Sequence, residues 1–136
     1  MSQTLFDAKY PHVGSNEPPD LHLTLANCVE GVGVGLVATE WAKALIAAPL
    51  QLVGAAEHVT PLVVLAVRGE IGVDGQRPTP GIIVQAGLML VPPDGTGDVN
   101  VATCWYYTSN GRLAHSLRRW GIPAHHVPKL AFEYLP

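Results

Sequence analysis

A chain of 136 residues, 48% hydrophobic and 14% charged, carries enough apolar material for one core and excludes wholesale disorder. Its net charge of −3 and lack of any lysine or arginine run exclude an electrostatic footprint on nucleic acid. The charged fraction lies well below the roughly 25% of an ordinary domain, so part of the surface is expected to be covered by other copies of the chain. The plainer alternative is a monomer whose skin is rich in Gly, Thr and Asn.

In chain order, residues 1–20 are polar, with Pro11, Pro18 and Pro19, and read as an extended arm ahead of a single domain at 21–136. They do not read as a secretory leader. Leu21 to Leu25 alternates as a strand with its leucines inward. From Val29 to Val37 glycine alternates with apolar residues: Val32, Val34 and Leu36 on one face, Gly31, Gly33 and Gly35 on the other. The bare face invites close approach by a helix, a sheet or a ligand. The spacing GxGxG lacks the third glycine and the later acid of a dinucleotide fingerprint.

Thr39 is expected to cap a helix that runs to about Ala48, with Trp41 and Leu45 on its packed face and Pro49 ending it. The stretch Trp41–Ala56 contains Lys43, Pro49 and Gln51 and falls short of the about 20 apolar residues of a membrane span. It reads as a buried or interface helix, and no membrane association is expected. Three strands follow, at Leu62–Val73, Ile82–Val91 and Val99–Tyr107, separated by turn signals at Asp74-Gly75 and Pro92-Pro93-Asp94-Gly95. The loop Asp94–Asp98 resembles a calcium loop in composition only, and a turn is the better reading. Thr108 to Gly111 can cap a second helix, Arg112–Trp120, closed by Gly121. Residues Ile122 to Lys129 read as irregular, and Leu130 to Tyr134 as a final strand. The class is therefore α+β: a mostly antiparallel sheet of about five to six strands packed against one or two helices.

Chemistry-bearing side chains gather in the last third. Arg112 and Arg119 share a helix face with His115 at spacings of three and four. Such a face could clamp an anion with the arginines and move a proton with the histidine; a solvated helix surface or a subunit contact explains the same residues. His125 and His126 are restrained between Pro123 and Pro128, which makes them candidates for proton transfer and substrate contact. Adjacent residues of an extended chain point apart, and no zinc-ligand spacing is present, so neither metal nor cofactor is expected. Arg68 and Glu70 fall on one face of a strand, as a pocket pair or a surface pair. Glu40 in a first helical turn suits the helix dipole and could also act as a base. Tyr106 is a candidate pocket hydroxyl. Cys28 and Cys104 have no CxxC companion and read as small buried hydrophobes in a reducing, cytoplasmic setting.

Two functions from different classes follow. The first is a small homo-oligomeric enzyme using acid–base chemistry on a small polar or anionic metabolite, as isomerase, lyase or hydrolase. His115, His125, Glu70 and Glu40 would be catalytic, with Arg112, Arg119, Arg68, Tyr106 and His126 binding substrate. The second is a structural or assembly subunit of a homo-oligomeric complex. A non-catalytic domain that binds a small molecule is a third.

Overall fold

The computed structural model describes residues 20–47, 50–54, 57–92 and 100–131. Chain order runs β1 (Leu23–Ala38), α1 (Thr39–Lys43), β2 (Val59–Val73), β3 (Thr79–Leu90), β4 (Asn100–Thr108), α2 (Gly111–Arg119) and β5 (Ala124–His126). The five strands form one mostly antiparallel sheet in sequence order, so the class is α+β with little helix. β5 pairs parallel to β4, with Tyr106 opposite Ala124 and Thr108 opposite His126. The expected arm at 1–20 lies outside the described residues except for Asp20, as do the Asp94–Asp98 loop and most of the expected strand at 130–134.

The turn between β2 and β3 explains their pairing. Asp74 and Gly75 sit at φ 52° and 75°, the two positive values of the hairpin turn whose twist matches its flanking strands. Gln76 N–H donates to the Val73 carbonyl at 3.1 Å to close it.

β1 corrects the expectation of two short strands. It continues for 16 residues through Asn27, which takes φ 52°, a left-handed conformation that asparagine tolerates. Its side-chain amide donates to Glu70 Oε2 at 2.7 Å. The backbone therefore jogs without leaving the sheet, much as a bulge does. Gly69 on β2 makes room: a methyl there would lie 2.5 Å from Cys28 Sγ and 2.9 Å from the Ala26 carbonyl oxygen. Of the three leucines expected inward, Leu23 is buried, Leu21 is half-buried and Leu25 is exposed.

The described residues divide into two compact units. The first comprises residues 20–31, 66–84 and 106–131. Its buried side chains include Ile71, Val73, Ile83, Tyr106, Leu113, Leu117 and Ile122. α2 is amphipathic, with Leu113, Ala114 and Leu117 buried and Arg112, His115, Arg118 and Arg119 exposed. Within the stretch expected to cap it, Thr108 to Gly111, the cap is Asn110, its side-chain oxygen accepting from Leu113 N–H at 2.9 Å. Gly121, at φ 82°, takes the left-handed step past the helix end that a Cβ would penalise.

The second unit comprises residues 32–47, 50–54, 57–65, 85–92 and 100–105. Ala42, Leu52, Leu88 and Leu90 are buried at its centre, with Val37, Ile46, Leu62, Ala102 and Cys104 packed around them. α1 is five residues long and corrects the expected ten-residue helix. Its N-cap is Ala38, with no side-chain cap. Thr39 turns inward, its hydroxyl 3.1 Å from that of Thr60 in a buried pair, while its N–H donates to the His58 carbonyl at 3.0 Å. With Ala38 in the cap position, Thr39 is already inside the helix and its hydroxyl turns to Thr60 rather than to the first helical N–H groups. The packed face is also reversed, since Ala42 is buried while Trp41 and Leu45 are exposed.

Candidate functional site

Arg112, His115 and Arg119 lie along the exposed side of α2, as their spacing requires. Among the described residues, none hydrogen-bonds or ion-pairs with these three side chains. Arg118 is used differently: its guanidinium donates to the Ala124 carbonyl at 3.1 Å, tying α2 to β5.

The histidine pair points two ways, as extended backbone demands. His125 stacks on Tyr107, its partner across the β4–β5 register, with ring centroids 5.3 Å apart and planes at 23°. His126 Nε2 is 3.2 Å from the Ser109 carbonyl oxygen. A carbonyl only accepts, so Nε2 carries a proton in this contact. The His126 ring also covers Gly111, where a methyl would come within 3.0 Å of Cε1. Ser109, which sequence reasoning did not single out, knits this corner further: its hydroxyl accepts from Ile82 N–H at 2.9 Å, and its own N–H donates to the Ile82 carbonyl at 3.1 Å. Both imidazoles thus have structural partners at the end of the sheet.

Glu70 is held by Asn27, and Arg68 is exposed. Tyr106 is buried, and burial pushes its phenol well above the usual tyrosine range. Glu40 belongs to the second unit and pairs with Lys43 Nζ at 3.3 Å across one helical turn, both side chains exposed; such pairs contribute roughly 0–1 kcal/mol. Within the first unit the candidates separate into an exposed helix stripe, a histidine corner and the Asn27–Glu70 contact. Among the described residues, no three histidine, cysteine or carboxylate side chains gather closely enough to hold a metal ion, and no helix is long and apolar enough to cross a membrane.

Cys28 corrects the reading of a buried thiol, because it is exposed on β1. Its thiol is raised, first by partial desolvation and then by the Glu30 and Glu70 carboxylates. Cys104 is half-buried, and burial raises it as well.

The feature that stands out is one that sequence reasoning weighed only for its glycines. β1 is the end strand of the sheet. Val32, Val34 and Leu36 on it are 64%, 67% and 68% exposed. Beside them Gly33 and Gly35 face open space, with no atom within 4 Å of where a methyl would sit. Close packing against the glycine face, the expectation from sequence, is not found at these two positions. At the end of the strand Trp41, Leu45 and Val59 are exposed too. Edge strands are normally protected by lysine, proline, inward charge or brevity; Gly31 to Ala38 contains no charged residue and no proline. That absence is the signal a sequence reader could have used. No protein-family model, curated protein or solved structure matches this chain.

Proposed function

We propose that this chain is an assembly subunit, whose work is to join further copies of itself through the edge of its sheet. The observation that carries the reading is the long, uncharged and exposed second half of β1. Val32, Val34 and Leu36 leave on the order of 300 Å² of apolar surface in water, and a strand added at this edge shields their flanks while pairing the open backbone N–H and C=O groups. The low charge of the whole chain, 14% of residues, supports the same reading, since a subunit that is surrounded needs fewer solvated groups.

The acid–base reading draws less support. Its helix stripe is exposed without an opposing carboxylate among the described residues, and both histidines of the pair serve local structure. Native mass spectrometry of the full chain over a range of concentrations tests the proposal. A defined oligomer that dissociates on dilution is the expected result. A monomer at every concentration refutes it.

A further inference from the structure

We infer that two copies pair β1 to β1, antiparallel, about a two-fold axis through Val34, so that two sheets become one continuous sheet. The inference rests on the assembly reading above and specifies its interface. A two-fold interface must be self-complementary, and the segment is nearly palindromic about Val34: Gly33 answers Gly35, and Val32 answers Leu36.

The register follows from the side chains. Antiparallel pairing about a residue sets position i opposite a position of the same parity, so the exposed apolar row of one copy meets that of the other. An axis between residues would set that row against the glycine face. Three residue-centred registers then compete. About Gly33, Glu30 falls opposite Leu36 and a carboxylate is desolvated against a leucine. About Gly35, the ladder shortens to Val32–Ala38, because Glu30 would fall opposite Glu40, which lies beyond the strand in α1. About Val34, Glu30 falls opposite Ala38, and Val32, Val34 and Leu36 meet only one another. Cross-strand pairs of β-branched and aliphatic side chains are the favourable ones, and like charges directly opposite are not.

The occupant is a second copy because the segment is its own complement: the same row of Val32, Val34 and Leu36 is presented by both partners. Pairing from Glu30 to Ala38 runs roughly 30 Å. No charged side chain between Gly31 and Ala38 opposes the approach.

The test is a cysteine placed on the axis. In a background with Cys28→Ser and Cys104→Ala, Val34→Cys puts two thiols on directly opposed residues, about 4.5–5.5 Å apart at Cα, inside the about 4.4–6.8 Å that a disulfide spans. Leu36→Cys sits four residues from its own mate, about 13 Å along the strand. Oxidation is expected to give a covalent dimer with Val34→Cys and not with Leu36→Cys. Val34→Lys, made in the otherwise native chain, is expected to weaken dimerisation on the order of 100-fold or more by setting like charges on the axis; the exposed position keeps the fold intact should the cysteine background misfold. An oligomer that survives Val34→Lys unchanged, or that crosslinks through Leu36→Cys, overturns the inference and leaves the assembly reading standing. A native chain that is monomeric throughout overturns both. So does a monomer whose amides from Val32 to Leu36 resist hydrogen exchange, which would mean that another part of the same chain covers the edge.

Discussion

Adding one methyl group at Gly33, and separately at Gly87, should move stability in opposite directions. At Gly33 the added carbon meets nothing within 4 Å, and the backbone lies outside the positive-φ region that would strain alanine. Gly33→Ala should therefore stabilise by about 0.4–1 kcal/mol, because alanine has less freedom to lose from the unfolded chain. Gly87 is buried. There the same carbon would clash with Val101 Cγ1 and lie 2.7 Å from the Ala102 carbonyl oxygen and 3.1 Å from its carbon. Two of those three neighbours are β4 backbone, so β3 and β4 must part, and Gly87→Ala should cost about 1–3 kcal/mol as an overpacking change. Urea-unfolding midpoints of the two variants and the parent, compared at one protein concentration because association contributes to stability, read both effects. The paired register about Val34 does not reverse the sign at Gly33, since its opposite residue is Gly35. If Gly33→Ala destabilises as much as Gly87→Ala, the glycine face is covered and the open face described for β1 is wrong.

Three further outcomes are expected. Asn110→Ala should cost about 1 kcal/mol by leaving the Leu113 amide without its cap, and Asn110→Asp should restore most of it; equal midpoints for Asn110→Ala and the parent would contradict the capping geometry. The phenol of Tyr106 is raised by burial, so its neutral form stabilises the fold fully below the ordinary tyrosine pKa of about 10 and progressively less as pH climbs towards the folded value. Tyr106→Phe should thus extend the alkaline limit of stability, and an alkaline unfolding midpoint unmoved by the substitution would refute the cause. His115→Ala, on the exposed side of α2, should change stability by no more than about 0.5 kcal/mol and leave the subunit number unaltered in native mass spectrometry; a change in either places His115 in a contact.

Local chemistry was the legible part of this sequence. Asn110, Gly121 and Asp74-Gly75 act through their own backbone and the next few residues, and each does what its type implies. The three strands from β2 to β4 were found because their alternation is long. What escaped depends on partners distant in sequence. Thr39 looked like a cap, but the helix starts one residue earlier and turns that hydroxyl inward to Thr60, twenty-one residues on. β1 looked like two strands because Asn27 interrupts the alternation, and only Gly69 and Glu70 across the ladder reveal that the strand continues. β5 escaped because a three-residue strand has no periodicity to read; its pairing with β4 is parallel and depends on the return path of the chain past α2. For the candidate site, the shared stripe of Arg112, His115 and Arg119 and the opposed directions of His125 and His126 follow from periodicity alone. Whether anything faces them is a tertiary fact that spacing does not encode.

The tryptophan stack has a spectroscopic consequence. Trp41 and Trp105 lie face to face at 5.6 Å with planes 14° apart, and both belong to the second unit, whereas Trp120 belongs to the first. Two indoles held so close couple their electronic excitations, and a split band of opposite signs in the far-ultraviolet circular dichroism, which one isolated indole does not produce, is the expected signature. The split band therefore reports on the second unit by itself. During denaturation it shows whether that unit opens ahead of the first or together with it, a separation of cooperative blocks that signals averaged over the whole chain would conceal.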